Sequence, residues 1–149
     1  FDDYTKSYWE VEAIKTSSVS FCVVLPKTHP LADHKLITFE DLSGEKLIII
    51  RRGYSLGIDE VRDYIESNYP DIYLIDVPAF GVQLYNKTVN ENILMLGLGE
   101  SIECHPLTKR IQLDWDKEYP FGILYSKNPS RHVKKFISAV KNIIESDDK

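Results

Sequence analysis

"LPKTHPLADHKLITFEDLSGEKLIIIRRGYS", residues 25–55, decides how the chain reads. Pro26 closes the apolar run "SFCVVL" at 20–25, whose near-continuous hydrophobicity marks a strand buried on both faces. The prolines of "THPLADHKL" force turns and remove backbone donors. Thr38 and Asp41, three residues apart, make a capping-box-like pair at the start of a short helix that Leu42 and Gly44 close. Residues 47–50 form a second continuous apolar strand. It runs straight into Arg51, Arg52, Gly53, Tyr54 and Ser55. Two cations and two hydroxyls after a buried strand are a donor set for a small anion.

Working outward, Ser55 is the natural N-cap of the next helix, and Asp59 and Glu60 lie where the helix dipole favours carboxylates. Ile58, Val61 and Ile65 give that helix one apolar face, and Pro70 marks its exit. Residues 72–77, "IYLIDV", read as a third strand, and Pro78 starts a turn into a helix over about 80–89. "NILML" is a fourth strand that runs into "GLGES". The last strands are expected at 109–113 and 121–125. Ser130 caps a final helix with the apolar stripe Val133, Phe136, Ile137, Val140 and Ile144. The polar opening, "FDDYTKSYWEVEAIKTSS", reads as a connecting stretch with one short strand about 9–14. Strands alternating with helices predict an α/β fold, a mostly parallel sheet flanked by helices. Ligands of such sheets bind beyond the carboxyl ends of the strands.

Three strand ends carry the candidate site. Arg51 or Arg52 offers a fixed fork to a carboxylate or phosphate, and Ser55 a hydroxyl beside the free amides of a helix start. After Val77, Phe80 supplies an apolar wall and Gln83 an amide. After Met95, Gly97 and Gly99 permit tight turning or close approach to a ligand. The expectation holds only if all three turns lie at one edge of the sheet.

Composition bounds the rest. A chain of 149 residues with 43% hydrophobic residues makes one ordinary domain or two small lobes. Its net charge of -5 argues against nucleic-acid binding by this stretch itself. Cys22 and Cys104 make neither a disulfide framework nor a zinc spacing, which fits a reducing compartment. The apolar runs are too short to cross a bilayer. The chain opens on Phe1, not Met, and reads as a fragment. Cys104–His105 is adjacent in sequence, but a nucleophile and its base are normally assembled from distant segments. His29 and His34 lack a Cys or Asp cluster to complete a metal site, and His132 sits near a helix start. No catalytic residue, metal or cofactor is expected.

The order of these motifs resembles the effector-binding domain of LysR-type transcriptional regulators. The carriers are the His29-Pro30-Leu31-Ala32 turn, the Ile37-Thr38, Glu40-Asp41-Leu42 pattern before an apolar strand, "ENILMLGLGESIECHPL", and "FGILYSKNPSRHVKKFISAV". The likeness covers roughly 18–140. The family often shows G-x-G-I-A-L-L-P where this chain has "GLGESIECHP", which puts Glu100 at a usually apolar position.

The resemblance implies two α/β lobes like those of type 2 periplasmic solute-binding proteins, with the effector in the cleft between them. Residues 1–17 would be a connecting segment from a truncated first lobe, 18–125 the second lobe, and 126–149 a helix returning to the first lobe. The turns carrying Arg51, Arg52, Tyr54 and Ser55, and Pro78, Phe80 and Gln83, would face the cleft, with Gly99 beside them. The implied protein is a cytoplasmic, non-enzymatic, dimerising sensor of a small, anionic effector such as a carboxylate. It would touch DNA only through a winged helix-turn-helix absent from this stretch, and would not associate with a membrane. Two rivals stay open: a transporter's solute-binding protein of the same fold, and an enzyme using Cys104 and His105.

Overall fold

The computed structural model describes residues 1–99 and 105–147. The elements, in chain order, are α1 (Asp3–Tyr8), β1 (Val11–Val19), β2 (Phe21–Pro26), β3 (Leu36–Ile37), β4 (Lys46–Ile50), α2 (Leu56–Asn68), β5 (Tyr73–Val77), α3 (Val82–Glu91), β6 (Leu94–Leu98), β7 (Thr108–Leu113), β8 (Tyr119–Ser126) and α4 (Arg131–Asp147). Single 3-10 turns cover Pro30–Asp33 and Glu40–Leu42. They fall into two compact units, one of Val19–Glu118 and one of Phe1–Ser18 with the residues from Tyr119 on.

The larger unit is a six-stranded sheet of order β3-β7-β2-β6-β4-β5. Pairs β3–β7, β4–β6 and β4–β5 are parallel, while β2 runs antiparallel to both its neighbours, β6 and β7. Five strands thus share one direction, and the sheet is mostly parallel as the alternation of elements predicts. β2 is buried at every position, which accounts for its unbroken apolar sequence. Its alternate residues Cys22 and Val24 join Ile48, Val77, Met95 and, from α3, Leu84 in one core cluster. Ile58, Val61 and Ile65 are the buried face of α2, as their spacing requires.

Local signals near the opening stretch are met closely. The backbone N–H and hydroxyl of Thr38 donate to Asp41 Oδ2 at 2.9 and 3.0 Å, and the Asp41 N–H donates to Thr38 Oγ1 at 3.3 Å. This reciprocal box starts the 3-10 turn at Glu40. Just before it, Phe39 packs among Tyr64, Tyr69 and Trp115, with ring centroids 5.0, 5.3 and 5.9 Å away.

In the smaller unit β1 and β8 form a two-stranded sheet. β8 covers the strand that the family resemblance groups with residues 18–125, and its hydrogen-bonding partner is β1. A Cβ on Gly122 of β8 would collide with the Ile14 carbonyl of β1, so glycine is what lets these backbones approach. The opening stretch also holds α1, which the sequence reading leaves as a connection. Asp2 caps α1 by accepting from the Thr5 N–H and hydroxyl, each at 2.7 Å. Ser130 Oγ accepts from the Val133 N–H at the start of α4, at 3.4 Å. Of the α4 stripe, Ile137 is buried, but Phe136 remains 57% exposed.

Candidate functional site: a rim of strand ends

β6, β4 and β5 are adjacent and parallel, so their carboxyl ends reach one rim of the sheet. Ile50 pairs with Val77, and Phe21, the first residue of β2, pairs with Leu98 at the same level. The turns beginning at Arg51, Pro78 and Gly99 therefore leave the sheet on one side.

Arg51 is exposed, and its Nη2 donates to the Tyr54 hydroxyl. Its guanidinium carbon stands 4.8 Å from the Tyr54 ring centroid. Among the described residues no carboxylate lies within ion-pair distance of it. Arg52 differs. Its guanidinium pairs with Asp63 and, at 2.9 Å, with Glu66, both on α2. The hydrogen bond that Arg52 donates to Asp63 holds the Arg52 pKa above its ordinary value. Gly53, at φ +91°, makes the turn between them, and its N–H donates to Asp59 Oδ2 at 2.9 Å.

Ser55 occupies the N-cap of α2, yet its hydroxyl makes no capping bond and stays available at the rim. Phe80 is 40% exposed. The exposed Gln83 folds its amide back over Gly81. Gly99, at φ +71°, donates its N–H to Ser20 O at 2.9 Å. Gly97 has a different part. A Cβ there would lie 3.0 Å from both Cys22 Sγ and Val24 Cγ2, so it makes room for β2 rather than for a ligand. Glu100 and Cys104 lie outside the described residues.

Two arginines beneath the rim escape the sequence reading. Arg62 on α2 is 5% exposed, and its Nη2 donates to Ile50 O at 3.0 Å and to Asp76 of β5. It ties the ends of β4 and β5 together. Arg110 on β7 donates to Leu98 O at 2.9 Å, to Gly99 O at 3.3 Å and to the Tyr85 hydroxyl of α3 at 2.7 Å. It holds the end of β6. Arg62 had a signal: 58, 61, 62 and 65 complete an i, i+3, i+4, i+7 stripe in which an arginine replaces an apolar residue. Arg110 had none beyond its place in a strand.

Two of the four histidines, His29 and His105, serve local structure. His29 is buried and its Nδ1 accepts from the Leu31 N–H at 3.2 Å. His105 lies parallel to Tyr85 with ring centroids 6.3 Å apart, and its Nδ1 accepts from the Leu107 N–H. Among the described residues no group of three or more potential ligands could hold a metal ion, and no helix is long and apolar enough to cross a membrane.

No family model matches the chain. The chain is 27% identical over 150 residues to YvbU of Bacillus subtilis strain 168, an uncharacterized HTH-type transcriptional regulator, covering 93% of this chain and 48% of YvbU. Among solved structures it resembles CbnR, a LysR family transcriptional regulator, with a TM-score of 0.68 and 14% identity over 89% of this chain and 47% of CbnR. It also resembles the effector-binding domain of QuiR in complex with shikimate, with a TM-score of 0.62 and 16% identity over 91% of this chain and 66% of that one. The fold is thus that of LysR-type effector-binding domains, as the motif order implied. The chain spans about half the length of YvbU and of CbnR.

Proposed function

We propose that this chain is the ligand-sensing regulatory part of a LysR-type transcriptional regulator. It binds a small anionic effector, a carboxylate, at the rim where β4, β5 and β6 end. Binding biases a conformational equilibrium that sets DNA affinity in a winged helix-turn-helix carried elsewhere in the polypeptide. The working protein is a cytoplasmic homo-oligomer without enzymatic activity. One observation carries the reading: Arg51 presents an exposed guanidinium with no carboxylate partner among the described residues, at a rim it shares with Ser55, Phe80 and Gly99. Tyr54 orients that fork, and Gln83 lies in the first turn of α3, the helix that follows β5. Arg52 joins only by leaving Asp63 and Glu66, so Arg51 is the primary anion partner. The shikimate bound by the QuiR domain is a carboxylate, and the regulators this chain resembles support the DNA-linked role.

Shikimate and benzoate, titrated calorimetrically into the protein, test the site. Replacing Arg51 with Ala should weaken a bound carboxylate at least about tenfold, the worth of a charge-assisted hydrogen bond, and leave the melting temperature unchanged. Unaltered affinity in that variant removes the rim from the site. The role itself is tested on the full-length gene product, which should shift its own promoter DNA in an effector-dependent way. An export signal in place of a DNA-binding head would refute it.

A further inference from the structure

A second group of basic side chains lies away from Arg51. At the opposite edge of the sheet, β3 is two residues long and covers β7 only at Gln112 and Leu113. Beside the uncovered part of β7 lies an open depression of about 350 Å³ lined by His34, Lys35, Lys109, Arg110, Ile111 and Gln112. In the strand order β3-β7-β2-β6-β4-β5 it lies two or more strands away from β4 and β5, which carry Arg51 and Phe80, although its lining residue Arg110 also reaches Leu98 O and Gly99 O at the end of β6.

Its lining is chemically one-sided. None of these residues is acidic, although the whole chain carries a net charge of -5. Lys35 is exposed and has no ion-pair or hydrogen-bond partner among the described residues. Lys109, also in the lining, donates to Ala32 O, and among the described residues its other two N–H donors have no partner. Asp41, a carboxylate whose Oδ2 also accepts from the Thr38 N–H and hydroxyl, stands 3.7 Å from His34 Nδ1 and offsets that imidazole, so the positive charge of the depression rests on the two lysines. Gln112 adds a neutral amide and Ile111 an apolar floor. Like charges gathered around a concave surface repel one another, and a bound anion relieves that repulsion. The volume matches the lower end of small-ligand sites, about 300–1,000 Å³.

We infer that the depression between β7 and the 34–35 segment is a second anion site, centred on Lys35 and Lys109 rather than on Arg51, for a compact dianion carrying phosphate or paired carboxylates. The two lysines supply the charge, and His34 and Gln112 supply directional contacts.

The test is an amide NMR titration of the protein with inorganic phosphate and, separately, with succinate, at low ionic strength where screening is weak. The expected result is saturable shifts confined to residues 34–35 and 109–112. Lys35→Glu should weaken binding by about fivefold or more, since it reverses an exposed charge facing the anion. The substitution touches no structural bond, so it does not confound folding. Lys109→Ala should weaken binding as well, and Arg51→Ala should leave it unchanged. Preference for phosphate or for succinate then identifies the natural anion. Shifts that never saturate, that persist in Lys35→Glu, or that vanish in Arg51→Ala would overturn the inference.

Discussion

Arg62 and Asp76 form an ion pair whose two halves should respond very unequally to removal. The Arg62 side chain is 6% exposed and that of Asp76 is 61% exposed. Besides Asp76, the Arg62 fork reaches Ile50 O at 3.0 Å and lies 3.6 Å from Glu66, while its Nε has no hydrogen-bond partner among the described residues. Asp76→Ala leaves a buried guanidinium without its main countercharge. Breaking a fully buried pair this way costs about 3–5 kcal/mol, and the solvation of Asp76 reduces that here to about 2 kcal/mol. Arg62→Met keeps much of the volume and removes both the buried charge and the unpartnered Nε. It forfeits the bond to Ile50 O, about 1 kcal/mol, and partly regains it in dry packing. The exposed partner is thus predicted to matter more than the buried one. Urea unfolding followed by Trp115 fluorescence, in a Trp9→Phe background, reads this directly, because Trp115 packs against Tyr64 of α2 at 5.2 Å. With a slope near 2 kcal/mol per molar, Asp76→Ala should lower the midpoint by about 1 M and Arg62→Met by at most half of that. The double variant should resemble Arg62→Met. A larger loss in Arg62→Met than in Asp76→Ala would refute the reasoning.

Other substitutions probe the packing and the caps. Gly97→Ala places a methyl 3.0 Å from Cys22 Sγ and Val24 Cγ2 inside a fully buried strand pair, and should cost about 1–3 kcal/mol by thermal unfolding. Gly122→Ala drives a methyl into the Ile14 carbonyl, and should abolish hydrogen-exchange protection in β1 and β8 while sparing β2 and β4. Asp41 has its pKa lowered, chiefly by the hydrogen bond from the Thr38 backbone. A depressed carboxylate stabilises the fold above its unfolded pKa, about 3.9, and loses that contribution as pH falls through the folded value. Asp41→Asn should therefore cost about 1 kcal/mol at neutral pH, and the gap from wild type should close in acid unfolding below about pH 4.

What the sequence discloses here follows from how local each cause is. The Thr38–Asp41 box, the Ser130 cap and the apolar face of α2 depend on residues within one or two helical turns, and all are found where their spacing puts them. The buried character of β2 was legible because both its faces are apolar. Its direction was not, because it depends on partners as distant as Arg110 and Met95. α1 escaped notice because its single cap, Asp2 to Thr5, sits in polar residues with no apolar period. At the rim, the neighbouring arginines of "RRGYS" attracted equal weight, yet their side chains part: one stacks on Tyr54, and the other turns back to α2. A carboxylate partner eleven residues away, Arg52 to Asp63, leaves no mark in the local pattern.

The two hidden arginines bear on why this rim should favour anions. The last carbonyls of parallel strands are acceptors, and left bare they would repel a carboxylate. Here Ile50 O accepts a hydrogen bond from Arg62, and Leu98 O and Gly99 O accept theirs from Arg110. The acceptors at the ends of β4 and β6 are thereby engaged from beneath, by groups that also bring positive charge. The turns beyond them present Arg51 and the uncommitted Ser55 hydroxyl. Arg62 reaches two oxygens on different strands through a single nitrogen, Nη2, which the long, planar guanidinium holds in place, whereas a lysine ammonium sits on a shorter reach and is not fixed by such a plane. Arg62→Lys should accordingly retain charge yet lose the bridge between β4 and β5. If the rim binds as proposed, that substitution weakens shikimate or benzoate binding with Arg51 still in place. Full affinity in Arg62→Lys would mean that the rim's geometry does not depend on the brace below it.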